Sequence, residues 1–104
     1  MADRLTPGEK VACRTPAEGK DGKTNIPKWK FDVLRAAIRQ VLKGREMGMN
    51  ALKEAVRDAL DENSLKQLGS LGWHLTTVRL ELEVRGEIAR LPKVTPLRLT
   101  WIGA

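Results

Sequence analysis

The sequence predicts a small, mainly helical α+β domain: three helices followed by a C-terminal two-stranded β-hairpin. Three observations carry that reading. Apolar side chains recur at helical spacing in three segments, glycines and polar clusters punctuate those segments, and the C-terminal stretch changes to the alternation of strands.

Residues 1–26 hold prolines, glycines and only scattered apolar side chains. No periodic face forms there, so they are read as a flexible basic N-terminal arm preceding a folded unit over residues 27–104. From Pro27 the pattern becomes PKWKFDVLRAAIRQVLKG, in which Phe31, Leu34, Ile38, Val41 and Leu42 recur at helical spacing and Gly44 follows as a stop. This predicts a helix near 27–43, with Pro27 suited to an opening turn that has no use for its missing N–H. Glu46-Met47-Gly48-Met49 reads as a short strand or turn. Leu52, Ala55, Val56, Ala59 and Leu60 then line one side of a second helix near 49–61. The stretch DENSLKQLGS reads as a loop anchored by Leu65 and Leu68, with room for one helical turn.

Ser70 is a plausible N-cap for a third helix near 71–85, because its side-chain oxygen can accept an orphan helix N–H. That helix carries two apolar stripes. Leu71, Leu75, Val78 and Leu82 form one; Trp73, Leu80 and Val84, bridged by Thr77, form the other. The first suits an ordinary core helix. The second implies cover from another surface or an exposed patch, and Trp73 is expected to be at least partly buried. Gly86 ends the helix at a position suited to left-handed backbone. GEIARL and PLRLTWI follow as two short strands near 87–102. Leu34, Ile38, Leu52, Val56, Leu75, Val78, Leu82 and Ile88 are the expected core.

A third helix that runs through a glycine directly into a hairpin resembles the winged helix-turn-helix superfamily. Leu82, Glu83, Val84, Arg85, Gly86 and Ile88 match the junction between recognition helix and first wing strand in such proteins. The chain also resembles a small bacterial family of unknown function over roughly residues 20–102. The matching segments are Gly22-Lys23-Thr24-Asn25-Ile26, without the spacer residue of the family's G-K-x-T-N-I; Ala55-Val56-Arg57; and Gly72 to Gly86, which carries the most specific motif. The resemblance implies a winged-helix fold with the hairpin as its wing, and no established activity.

Composition bounds the function. The chain has 104 residues, a net charge of +6, one Cys and one His. A lone Cys13 forms no internal disulfide, and one Cys with one His builds no four-ligand zinc site. No cofactor or metal is expected. No apolar run approaches the length of a membrane span, and the N-terminus lacks a secretory apolar stretch, so a cytoplasmic protein without membrane contact is expected. The positive excess sits mainly in 27–44, with five basic residues against one acidic. Such a balance favours polyanion partners.

Candidate catalytic groups are sparse. Ala17 to Thr24 matches a relaxed phosphate-binding loop, A-x-x-x-x-G-K-T, but no buried strand delivers the chain to it, and Pro27 places the helix start too late. His74 has no nucleophile near it in sequence, Asp61 and Glu62 read as a solvated turn, and Cys13 as an incidental thiol. The protein is therefore expected not to be an enzyme.

Two binding classes remain. In the first, the chain is a low-specificity DNA-binding module of regulatory type. Trp73, His74, Thr76 and Thr77 would face bases of duplex DNA, while Arg35, Arg39, Arg79, Arg90, Lys93 and Arg98 would meet phosphates. Only Arg79 is basic between Ser70 and Val84, and Glu81 and Glu83 would repel phosphate if they faced it. In the second class, Trp73, Leu80 and Val84 form a patch for a protein partner or a second copy of the chain.

Overall fold

The computed structural model describes residues 9–15, 19–92 and 96–103. In chain order these form β1 (Lys10–Thr15), β2 (Gly19–Pro27), α1 (Lys28–Leu42), β3 (Glu46–Gly48), α2 (Met49–Ala59), α3 (Glu62–Leu68), α4 (Leu71–Val84), β4 (Ile88–Arg90) and β5 (Arg98–Trp101). No helix among the described residues is long and apolar enough to cross a membrane.

The described residues form an α+β fold of four helices and two sheets, which corrects the expected winged helix-turn-helix with its two-stranded hairpin wing. One difference is at the C-terminus. β5 pairs on both of its edges, with β4 through Ile88↔Trp101 and with β3 through Met47↔Leu99, so the sheet has three strands in the order β3-β5-β4. The three-residue segment at Glu46 gave no period long enough to distinguish a strand from a turn. A second difference is α3. Asp61, read as part of a solvated turn, caps that helix by accepting a hydrogen bond from the Ser64 N–H at 2.6 Å, and Leu68 is buried beneath it.

The third difference is at the N-terminus, where residues expected as a flexible arm form an antiparallel sheet. β1 and β2 pair through Lys10↔Pro27 and Cys13↔Thr24. The Lys28 N–H donates to the Glu9 carbonyl at 3.0 Å and closes the open end. Cys13 and Ile26 are buried in the common core, and β1 lies against α4. Lys23 and Thr24, read as the end of a phosphate loop, lie within β2, and among the described residues the first helix begins at Lys28. Residues 1–8 and 16–18 lie outside the described part of the arm.

α4 runs through the centre of the molecule. Its Leu71, Leu75, Val78 and Leu82 are buried against Phe31, Leu34 and Ile38 of α1 and Leu52 and Val56 of α2, with Ile88, Leu99 and Trp101 closing the core from the sheet. Burying a leucine side chain contributes on the order of 2 kcal/mol each, so this stripe fixes how α4 is rotated. Its start and stop are local. The Ser70 hydroxyl oxygen accepts from the Trp73 N–H at 3.2 Å. At the far end the Gly86 N–H donates to the Glu83 carbonyl and the Glu87 N–H to the Leu82 carbonyl, the paired bonds of a Schellman motif. Gly86 has φ +77°, a left-handed conformation that side chains resist.

Candidate nucleic-acid interface

The rotation fixed by the buried stripe leaves one strip of α4 outside. Trp73 and Thr76 are exposed, while Thr77, Leu80 and Val84 on the same side are half-buried. Trp73 keeps 51% of its surface in water. What covers the rest includes the His74 imidazole, whose ring stands edge-on to the indole at 4.8 Å between centroids.

His74 is held in one orientation. Its Nδ1 lies 2.7 Å from the Ser70 carbonyl, which can only accept, so Nδ1 carries the proton. Its Nε2 then presents a lone pair to the ammonium of Lys30, 3.5 Å away. Lys30 also donates to the Leu68 carbonyl at 3.0 Å and lies 5.8 Å from the centre of the Trp29 ring. A second ammonium approaches from α2. Lys53 Nζ lies 3.3 Å from where a Cβ on Gly72 would stand, so it closely approaches the bare backbone there.

Trp73, His74 and two lysines thus gather where α1, α2 and the first turn of α4 converge, with Trp29 beside Lys30. That turn contains no acidic residue. A helix N-terminus, unneutralised and flanked by ammonium groups, presents positive potential.

The expected phosphate contacts are placed differently. Arg35 makes a two-pronged contact to Glu87, Nε to Oε1 at 2.8 Å and Nη2 to Oε2 at 2.7 Å, and this holds the Glu87 carboxyl below its usual range. Arg79 is only 7% exposed and is paired with Glu83. Arg90 contacts the same Glu83 at 2.7 Å, and Arg98 contacts Glu46 at 3.0 Å. Arg39 is half-buried in the last turn of α1. Lys93 lies outside the described residues. Of the expected base-facing groups, Trp73, His74, Thr76 and Thr77 are together at one end of α4, although the Thr77 hydroxyl already donates to the Trp73 carbonyl at 2.9 Å.

Glu81 and Glu83 do not face this surface. Glu81 is 1% exposed beneath β1. It accepts from the Arg14 backbone N–H at 2.8 Å, from Arg14 Nε at 3.0 Å and Nη2 at 2.8 Å, and from Arg85 Nε at 2.8 Å. Burial alone would raise its carboxyl, but these hydrogen bonds override that and hold it at about 2. Cys13 beside it is pushed up to about 11, first by burial and then by the Glu81 charge, which leaves an unreactive thiol. Among the described residues no three His, Cys, Asp or Glu side chains gather as a metal site.

The sequence reading missed Lys30, Lys53 and Trp29. The alternation of base and aromatic in Lys28-Trp29-Lys30-Phe31 was a signal for two of them; Lys53 had none, since its approach to Gly72 joins two different helices.

A family of unknown function, DUF6958, matches residues 10–99. The chain belongs to that family. The match begins where β1 begins, so the residues of both strands of the N-terminal sheet lie within the matched segment of this DUF6958 chain. No curated protein and no solved structure matches the chain.

Proposed function

We propose that the protein is a low-specificity DNA-binding module of regulatory type that works by binding rather than catalysis, in the cytoplasm. The observation that supports it is the cluster at the start of α4. There Lys30 and Lys53 flank an exposed Trp73, with no carboxylate in the first turn, in a chain of net charge +6. In this reading Trp73, His74, Thr76 and Thr77 meet the groove of a duplex, and the lysines take the phosphate role expected of the arginines.

Titration of a random-sequence duplex over a range of salt concentrations tests it. Affinity falls steeply with salt if phosphates dominate. Lys30→Ala with Lys53→Ala then weakens binding on every sequence and makes the salt slope shallower by about one per lost contact. Arg90→Ala with Arg98→Ala leaves the slope unchanged, because those guanidiniums serve Glu83 and Glu46. Failure to bind duplex at the lowest salt contradicts the proposal.

A second reading rests on the half-exposed indole together with Leu80 and Val84 on the same strip. It makes this face a contact for a protein partner or a second copy. Sedimentation that shifts with protein concentration, and loses that shift in Trp73→Ala, favours the second copy.

A further inference from the structure

We infer that the Trp73 surface takes unpaired bases, so that its preferred ligand is a single strand or a duplex with one strand opened. This rests on the nucleic-acid reading above and narrows its ligand. Half of the indole is in water, and the residues on either side of it in sequence, Gly72 and His74, are each approached by an ammonium group. Its orientation is set in advance. The edge-on His74 ring bears on it, and that ring is itself tied to the Ser70 carbonyl and faced by Lys30. A stacking partner therefore meets a ring that needs little further ordering.

The same face is poor in groups that read base edges. Direct readout in a groove relies on forked or paired donors and acceptors such as Arg, Asn and Gln. Between Leu71 and Val78 there are none. The Thr77 hydroxyl donates to its own helix and the His74 Nδ1 proton to Ser70, which leaves the exposed Thr76 hydroxyl. Large π surface between ammonium groups, with little to read an edge, is the chemistry of a stacking platform. Inside an intact duplex every base face is already covered, and reaching one requires costly unstacking. An unpaired base offers its face directly. Trp29 stands on the other contact of Lys30, whose ammonium lies 5.8 Å from its ring centre and 3.5 Å from His74.

The test uses the full chain and three fluorescein-labelled ligands of about 12 nucleotides or base pairs. They are oligothymidylate, a blunt duplex, and a duplex with a short gap, followed by anisotropy at several salt concentrations. The expected result is roughly 10-fold tighter binding to the single strand or gapped duplex than to the blunt duplex, with quenching of tryptophan emission. Trp73→Leu abolishes that preference without altering the salt slope, Trp73→Phe retains part of it, and circular dichroism melts confirm that both variants fold. Equal or tighter binding to the blunt duplex overturns this inference while leaving the nucleic-acid reading intact, as does a preference that survives in Trp73→Leu. No binding of any ligand at low salt overturns both.

Discussion

From Leu71 to Thr77, α4 has no charged carboxylate and turns an indole and a threonine to solvent; from Val78 to Val84 it carries Arg79, Glu81 and Glu83, all of them in ion pairs within the molecule. The C-terminal half clasps β1 and β4 through these charges, while the N-terminal half buries Leu71 and Leu75 and leaves Trp73 and Thr76 in water. The contrast extends to the type of cation. Arginine serves the ion pairs to Glu46, Glu81, Glu83 and Glu87, whereas a lysine serves the exposed pair Lys28–Asp32. A planar guanidinium suits the two-pronged contacts to Glu81 and Glu87, whereas lysine is a compact, hydrated point charge. Net charge therefore misleads about where positive charge is available.

The largest expected effect breaks the structural half. Glu81→Gln leaves the Arg14 and Arg85 guanidiniums without their carboxylate and should destabilise the fold by about 3 kcal/mol, the lower end for a buried pair because both arginines are part-exposed. Urea unfolding measures it, and hydrogen exchange should show β1 and β2 losing protection first. An unchanged midpoint would mean the clasp contributes nothing to folding.

Acid should have a comparable effect by the same route. Glu81 is held at about 2, below its ordinary value, so its contribution is complete above the unfolded-state value near 4.5 and is lost as pH falls through about 2. The depression corresponds to about 3 kcal/mol. Unfolding free energy followed between pH 5 and pH 2 should drop in the natural chain. In Glu81→Gln the drop should be much smaller, and equal drops would assign the acid sensitivity elsewhere.

Trp73→Ala sharpens the comparison from the other half. Stability should change by less than about 1 kcal/mol, since the indole is half in water, while DNA affinity falls. A large loss of stability would make Trp73 a core residue instead. The smallest effect is expected at Arg98→Ala. Its pair with Glu46 is exposed, and thermal melts should register a few tenths of a kcal/mol.

What the sequence revealed follows the range of the interactions. All eight expected core residues are buried, because helical periodicity is a local property of the chain. Ser70 and Gly86 were legible as caps for the same reason. The N-terminal sheet was not. Val11 and Cys13 give only a faint alternation, and what fixes β1 is Glu81, 67 positions away from Arg14. A glutamate on a helix reads as solvated until its partners are known. The same holds for the expected phosphate contacts: Arg35 meets Glu87 and Arg98 meets Glu46, each across 52 positions, and no local pattern announces either pair. Trp73, His74, Thr76 and Thr77, expected to face bases, lie together at one end of α4 because they are near neighbours in sequence.

The division of α4 into a structural and a binding half is tested most directly by the indole N–H resonances of Trp29, Trp73 and Trp101 in a ¹H–¹⁵N spectrum, followed as duplex and gapped DNA are added at low salt. Trp101 is buried with no hydrogen-bond partner for its Nε1 and serves as the internal control. The account predicts that the Trp73 resonance shifts saturably, with backbone shifts gathered at Gly72 to Thr77 and at Lys53, while Trp101 stays in place. A Trp73 resonance that stays fixed at saturating DNA, with the shifts gathered instead on β3 and β5 around Glu46 and Arg98, would contradict it.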